Sequence, residues 1–240
     1  MAIKPEELSS QEKLNRQADL ANMVVHDLKG PLMEMMANLD LLVNSAEISE
    51  MDKEFAQTAM EGCTGLLDLV TDLLNLGKME SGMLRLEKTA VDITQMLRDE
   101  LKKVRLTAED TRVAVELEGN NTVMAEADGK LIRRVVANLV SNGLKFSPPG
   151  TKLRVSVADT SAGVKVTVKD EGPGIPPNYR ASIFDKYTQV DLRTHKQPGG
   201  TGLGLTFCKM AVEAHGGTIG LEEVSNGSQF YFVIPKNGKD

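Results

Sequence analysis

Apolar residues recur every three or four positions through the first part of the chain, with polar residues between them. One such seam runs through residues 24–42 with steps of 4, 4, 3, 4 and 3, and a second runs through residues 55–76 with alternating steps of 4 and 3. A polar break at residues 44–51 separates them and offers Ser49 as a helix N-cap. This spacing predicts two long amphipathic helices in an antiparallel hairpin, the second ending near Ser81. The seam residues are Val24, Leu28, Leu32, Met35, Leu39 and Leu42 on the first helix and Phe55, Ala59, Gly62, Leu66, Leu69, Leu73 and Leu76 on the second.

A second apolar band lies beside these seams and consists of Met36, Val43, Met60, Leu67, Val70 and Leu74. Two packed helices cannot cover both bands, because the combined apolar surface is wider than one helix contact. A four-helix bundle would cover it. The pattern therefore predicts that two copies of the hairpin pair as a homodimer.

The hydrophobic pattern changes after Gly82. A helix is predicted over residues 91–104, and alternating apolar residues at 113–117 predict a strand. Two alternating runs meet at a turn over residues 160–163, and two more meet at residues 226–227, so two β-hairpins are expected. Strands paired as hairpins, with helices on one side, make a two-layer α/β sandwich.

Length and composition fit two domains, which the change of pattern places at residues 1–84 and 85–240 of the 240-residue chain. With 41% hydrophobic and 26% charged residues the chain is typical of globular proteins. A net charge of −6 and a pI near 5.3 argue against a nucleic-acid partner. No apolar run approaches the roughly 18 residues of a membrane span, so a cytoplasmic chain is expected. We expect Cys63 and Cys208 to be reduced, packed thiols.

His26 interrupts the apolar pattern of the first helix. It lies two residues from Val24 and two from Leu28, and at about 100° per residue this places it on the solvent face. Pro31 follows five residues later and is expected to kink the helix, at a cost of about 3 kcal/mol. That cost hints at a function for the distortion, although an exposed histidine alone is more often an ordinary surface residue.

A polar stripe marks the segment NLVSNGLKFS, residues 138–147. On a helix capped by Asp128, Asn138, Asn142 and Lys145 share one face, while the opposite face is apolar. Buried amides without hydrogen bonds cost about 1–3 kcal/mol each, so the stripe needs a partner such as phosphate oxygens and Mg²⁺. The alternatives are a packing amide at Asn138 and a surface lysine at Lys145.

Two glycine-rich loops follow this stripe. Gly172 and Gly174 of DEGPGI lack Cβ atoms and let the backbone approach a flat ligand. The Asp170 carboxylate before them can accept a hydrogen bond from an exocyclic amine such as that of adenine. In the later loop GGTGLGL, Gly202 and Gly204 precede a helix whose first amides can bind phosphate. Either loop alone is weak evidence, because GxG is more often a plain turn.

These segments together resemble the boxes of sensor histidine kinases of two-component systems. The five matching segments, in the family's order, are HDLKGPL at 26–32, NLVSNGLKFS at 138–147, DEGPGI at 170–175, IFDKY at 183–187 and GTGLGL at 200–205. The resemblance implies a HisKA-type dimerisation and phosphoacceptor domain at residues 1–84. It implies a GHKL-type ATP-binding domain at residues 85–240, the chain being the core of a larger or membrane-linked sensor.

The resemblance also implies roles for individual residues. His26 would attack the γ-phosphate of ATP, and Asp27 would accept the imidazole proton. Asn142 would bind Mg²⁺, with Asn138 and Lys145 on the phosphate side. Phe184 and Tyr187 would anchor a lid that begins near Thr188. The implied ATP-binding set is Asn138, Asn142, Lys145, Asp170, Gly172, Gly174, Tyr187, Gly202, Leu203 and Gly204.

The expected activity is that of a homodimeric ATP-dependent histidine autokinase that passes its phosphoryl group to an aspartate of a response-regulator receiver domain. One alternative is a dimeric scaffold with a degenerate ATP site, and another is a nucleotide-gated ATPase without histidine transfer. Gly30 stands where the family often has Thr or Asn, which leaves phosphatase activity open.

Overall fold

The structure is a computed structural model that describes residues 10–45, 48–119, 121–186, 188 and 202–236, with the backbone alone described for residues 10–22, 24–26 and 68. The chain divides into two compact units, Met1–Leu84 and Arg85–Asp240. Among the described helices, none is both long and apolar enough to cross a membrane.

The first unit is a pair of helices, α1 (Ser10–Val43) and α2 (Glu50–Glu80), which pack against each other. Pro31 lies inside α1. The predicted N-cap of α2 is confirmed, because the Ser49 hydroxyl accepts a hydrogen bond from the Asp52 backbone N–H at 3.2 Å.

The inner face of this hairpin combines residues of both predicted apolar bands. Of the predicted seam, Leu76 is buried at 2% exposure and Leu32, Leu39 and Leu69 are half-buried, whereas Leu66 is 51% and Leu73 52% accessible. The second band is half-buried at all six positions. The predicted inner face was therefore wrong in part, because two adjacent apolar stripes have the same period and periodicity alone does not identify the inward one. The exposed seam residues are Leu28, Met35, Leu42, Phe55, Ala59, Gly62, Leu66 and Leu73.

The second unit contains a five-stranded sheet in the order β2-β4-β5-β7-β6 and a two-stranded antiparallel sheet of β1 and β3. Strands β2 and β4 are parallel, and the other neighbours in the large sheet are antiparallel. Its elements are β1 (Thr89–Asp92), α3 (Ile93–Lys103), α4 (Arg105–Thr111), β2 (Ala114–Glu118), β3 (Met124–Ala127), α5 (Gly129–Phe146), β4 (Lys152–Thr160), β5 (Gly163–Lys169), α6 (Gly204–Ala214), β6 (Thr218–Glu222) and β7 (Gln229–Ile234).

The core lies between the large sheet and the helices α3, α5 and α6. Alternate residues of the central strands are buried there, among them Val166 and Phe232, which are 0% exposed. Helix α5 approaches β4 so closely that a Cβ on Gly143 would overlap the Leu153 side chain. The predicted two-layer α/β sandwich is confirmed. The predicted helix over 91–104 starts late, however, because Val91 pairs with Ala125 in the small sheet.

Candidate functional site

The Asp170 carboxylate directly after β5 is held by two backbone N–H groups. Its Oδ1 accepts the backbone N–H of Gly172 at 2.8 Å and that of Ser228 at 3.0 Å. In return, the Asp170 backbone N–H donates to the Ser228 carbonyl at 2.9 Å. The carboxylate is therefore fixed from two loops at once.

Burial is the largest influence on the pKa of this carboxyl group. Asp170 is 5% exposed, and burial raises the pKa of its carboxyl above the usual range, although hydrogen bonds from Gly172 and Ser228 oppose that shift. An ionised carboxylate has about four lone-pair sites. Both N–H groups bond to Oδ1, so Oδ2 can accept an additional N–H donor from a ligand.

The glycines around Asp170 leave no room for side chains. A Cβ on Gly172 would lie 2.6 Å from the Phe146 carbonyl oxygen. Gly174 has φ +75° and would bring a Cβ to 3.0 Å from the Gly227 carbonyl oxygen, while a Cβ on Gly227 would overlap the Asp170 carbonyl. The end of α5, the 170–174 loop and the β6–β7 connection thus pack backbone against backbone around the Asp170 carboxylate.

The polar stripe of α5 lies beside the start of α6. Asn138, Asn142 and Lys145 are each half-buried. The Asn138 side-chain amide donates to the Gly204 carbonyl at 3.4 Å, and the Lys145 Nζ lies 5.5 Å from the centre of the Phe146 ring. The stripe therefore begins at Asn138, which contacts the first turn of α6, and runs to the C-terminal end of α5, where Phe146 meets Gly172.

The start of α6 is a helix N-terminus without a side-chain cap. Gly202 has φ +71°, and the N-cap Leu203 makes no side-chain capping bond. Since the first amides of a helix lack intrahelical acceptors, this turn favours an anion such as phosphate.

Ser228 and Gly227 are site residues that the sequence analysis missed, because the segment around them was interpreted only as a hairpin turn. Ser228 is 6% exposed and contacts Asp170, 58 residues away in sequence. A small hydroxyl residue between a turn glycine and a strand was the available signal, but its partner could not be identified from spacing.

Several predicted residues are only partly described or lie elsewhere. Tyr187 and the lid positions after Thr188 lie outside the described residues, and so does the His26 side chain, whose backbone belongs to α1. Asp27 is exposed on the same helix. Phe184 is half-buried and meets Phe230 edge to face, with ring centres 6.4 Å apart.

The donor set fits Mg²⁺ only in company with phosphate. No cluster of three or more His, Cys, Asp or Glu side chains suited to a metal occurs in the part of the chain that the structure describes. Asn142 offers one neutral amide oxygen on the polar stripe. Mg²⁺ keeps several waters and takes most of its charge compensation from substrate phosphates, so one amide ligand is compatible with it.

Two family models match the chain. The His Kinase A (phospho-acceptor) domain matches residues 16–82, and the histidine kinase-, DNA gyrase B-, and HSP90-like ATPase matches residues 127–238. Each match falls within one of the two compact units.

Relatives and solved structures agree with these matches. The circadian input-output histidine kinase CikA of Synechococcus elongatus is 33% identical over 219 residues, which are 88% of this chain and 29% of CikA. The sensor histidine kinase CusS of Escherichia coli O157:H7 is 26% identical over 232 residues, which are 95% of this chain and 47% of CusS. Full-length ShkA, solved in complex with AMPPNP, has a TM-score of 0.70 at 26% identity, covering 90% of this chain and 45% of ShkA. The chain thus spans less than half of each of these relatives.

Proposed function

The chain belongs to the sensor histidine kinases, and on that premise we propose that it is an ATP-dependent autokinase that phosphorylates His26 and donates the phosphoryl group to an aspartate of a response-regulator receiver domain. The observation that carries the proposal is the buried Asp170 carboxylate, whose Oδ1 is fixed by the backbone N–H groups of Gly172 and Ser228 while Oδ2 can face a ligand.

The proposed nucleotide is ATP. The exocyclic amine of adenine would donate to Asp170. The glycines at 172 and 174 let this loop pack against the backbone of Phe146 and Gly227, which holds the carboxylate in place. The phosphates would reach the start of α6, where Gly202, Leu203 and Gly204 present backbone N–H groups beside Asn138.

Mg²⁺ is the proposed metal, with Asn142 as its protein ligand and Lys145 as a further cation for the phosphates. When bound, it neutralises charge on the transferred group. Tyr187, three residues after Phe184 in the sequence, completes the proposed set as an anchor of the lid. Phe184 itself contacts Phe230 edge to face.

The proposed transfer begins with a neutral imidazole. A histidine with pKa near 6.5 is largely unprotonated at cell pH and is a competent nucleophile. A bond forms from an imidazole nitrogen of His26 to the γ-phosphorus, the bond from that phosphorus to the bridging oxygen breaks, and ADP leaves. The proton released from the ring passes to the Asp27 carboxylate.

The proposed acting unit is a homodimer in the cytoplasm. Support comes from the exposed apolar band of the hairpin, in which Phe55, Leu66 and Leu73 are each more than half exposed at 65%, 51% and 52%. An exposed apolar surface of this kind is typical of a protein interface. A second copy of the hairpin would cover it and complete a four-helix bundle.

Incubation with γ-labelled ATP and Mg²⁺ tests the proposal. We expect label that is lost in acid and stable in base, that disappears in His26→Gln and that transfers to a purified receiver domain. Asp110→Asn, an exposed aspartate on α4, serves as a control that keeps full labelling. ATP binding without label would support the scaffold function instead, and ATP hydrolysis without protein-bound label would support a plain ATPase.

A further inference from the structure

Helix α6 is joined to α5 by a hydrogen bond at each of its two ends. At one end, the Asn138 amide donates to the Gly204 carbonyl at 3.4 Å, where the phosphates are proposed to bind. At the other end, the Asp128 backbone N–H donates to Nε2 of His215 at 2.9 Å. Asp128 is the N-cap of α5 and His215 is the C-cap of α6, so this second bond connects the start of one helix to the end of the other.

The His215 ring is held in a single tautomer. Its Nδ1 lies 2.7 Å from the Ala211 carbonyl oxygen, one turn earlier in α6. Because a carbonyl only accepts hydrogen bonds, Nδ1 carries the proton and Nε2 presents the lone pair that the Asp128 N–H requires. His215 is 2% exposed, and this burial lowers the pKa of the imidazole. The neutral ring therefore completes the bond at neutral pH.

Charged groups on the neighbouring elements act on this ring in opposite directions. Burial is the largest influence on the pKa of His215, the Asp128 carboxylate raises it and Lys88, just before β1, lowers it. The carboxylate is already engaged in capping: Oδ1 accepts the N–H groups of Lys130 and Leu131, and Oδ2 accepts that of Glu87. Protonation would place a second donor on Nε2, directly against the Asp128 N–H. The bond between the helices cannot survive that change.

We propose that neutral His215 is a positioning residue that holds α5 and α6 in register from the end remote from the nucleotide, and that its protonation weakens ATP binding. The bond at Asp128 fixes the far end of the helix pair, and the near end carries Asn138 against the first turn of α6. When the far end is released, the two phosphate-binding surfaces lose their common alignment. The link to ATP rests on the proposed function, whereas the bond between the helices does not.

The test compares His215 with His215→Gln, both in a His26→Gln background so that no phosphoryl transfer consumes ATP. Glutamine can keep a carbonyl acceptor near the Asp128 N–H and does not titrate. We expect the Kd for ATP with Mg²⁺, measured by calorimetry, to rise about fivefold more in the His215 protein than in the variant between pH 7.5 and a pH at which nuclear magnetic resonance shows the His215 ring to be protonated. That factor corresponds to one net hydrogen bond. ATP phosphate titrates in the same range, so the difference between the two proteins is the measure.

A second measurement needs neither ATP nor a variant. In the full chain we expect the protection of the Asp128 amide against hydrogen exchange to fall as the His215 ring protonates, followed by nuclear magnetic resonance. An unchanged protection factor, or an identical pH dependence of ATP affinity in both proteins, would overturn the inference. Absence of ATP binding at both pH values would overturn the proposed function and the link to nucleotide, and the exchange of the Asp128 amide would still decide whether the bond exists.

Discussion

Asp170→Asn should separate nucleotide binding from folding. Asparagine keeps an oxygen for the N–H groups of Gly172 and Ser228, which lie 2.8 and 3.0 Å from Oδ1 in the native protein. The other oxygen becomes an NH₂ group, which would face the adenine amine donor to donor. A hydrogen bond to a charged group contributes about 1.5–3 kcal/mol, so we expect ATP affinity to fall between about tenfold and a hundredfold.

The thermal stability of Asp170→Asn should not fall with its ATP affinity. Burial raises the pKa of Asp170, so the folded state binds a proton more readily than the unfolded state. Such a group opposes folding at neutral pH, and its unfavourable contribution disappears as the pH falls through the raised pKa. Replacing the carboxylate by a neutral amide removes this contribution, and the melting temperature at pH 7 should stay equal or rise.

The assay is a calorimetric ATP titration combined with thermal melting at pH 7, with Asp110→Asn as the exposed control. The reasoning would be refuted if Asp170→Asn bound ATP within about twofold of the native protein, which is less than one hydrogen bond. It would fail equally if the variant melted several degrees lower, because the carboxylate would then be stabilising the fold.

Three further changes test the packing. Gly143→Ala should destabilise the second unit by about 1–3 kcal/mol in urea unfolding, because the new Cβ overlaps Leu153. Leu73→Glu should prevent dimerisation in sedimentation experiments, since this side chain is 52% exposed in the single chain and is expected to be covered in the dimer. Ser49→Ala should destabilise the hairpin by about 1 kcal/mol in thermal unfolding, because the N–H of Asp52 loses its capping acceptor.

Matched variants define what would contradict these three outcomes. Gly129→Ala, also on α5, brings a Cβ to an ordinary 3.4 Å from Val91 Cγ2, so a loss equal to that of Gly143→Ala would remove the overlap argument. Gln57→Glu adds the same charge at an exposed polar position of α2. If this variant were also monomeric, the added charge alone would explain the loss of the dimer. Ser49→Thr keeps a hydroxyl that can accept the Asp52 N–H and donate to the Asp52 carboxylate, so it should retain the native stability.

Local features of the fold could be predicted because their causes lie within a few residues. The Asp128 side chain accepts the N–H groups of Lys130 and Leu131, as its place before an apolar helix predicts. The turn over residues 160–163 could be predicted equally well, because the alternation of apolar residues stops there. In the structure Thr160 pairs with Gly163. The two-layer sandwich followed from these hairpins and from the apolar face of α5.

Long-range features could not be predicted in this way. The small sheet joins Val91 to Ala125 across a long connection, and each strand has only four residues, too few for a clear alternation. The partner of Asp170 at Ser228 depends on the register of β5 against β7. Adjacent apolar stripes on α1 and α2 share one period, so the inward stripe is decided by the angle between the helices.

The pairing of β5 with β7 has a consequence for synthesis of the protein. Lys169 and Gln229 form the last register pair of that ladder, and Asp170 and Ser228 extend it by one step. During translation the carboxylate emerges almost sixty residues before the Ser228 backbone N–H that bonds to it. A nascent chain still lacking β7 therefore lacks this contact, and under the proposed function a nucleotide cannot serve as a template for the earlier steps of its folding.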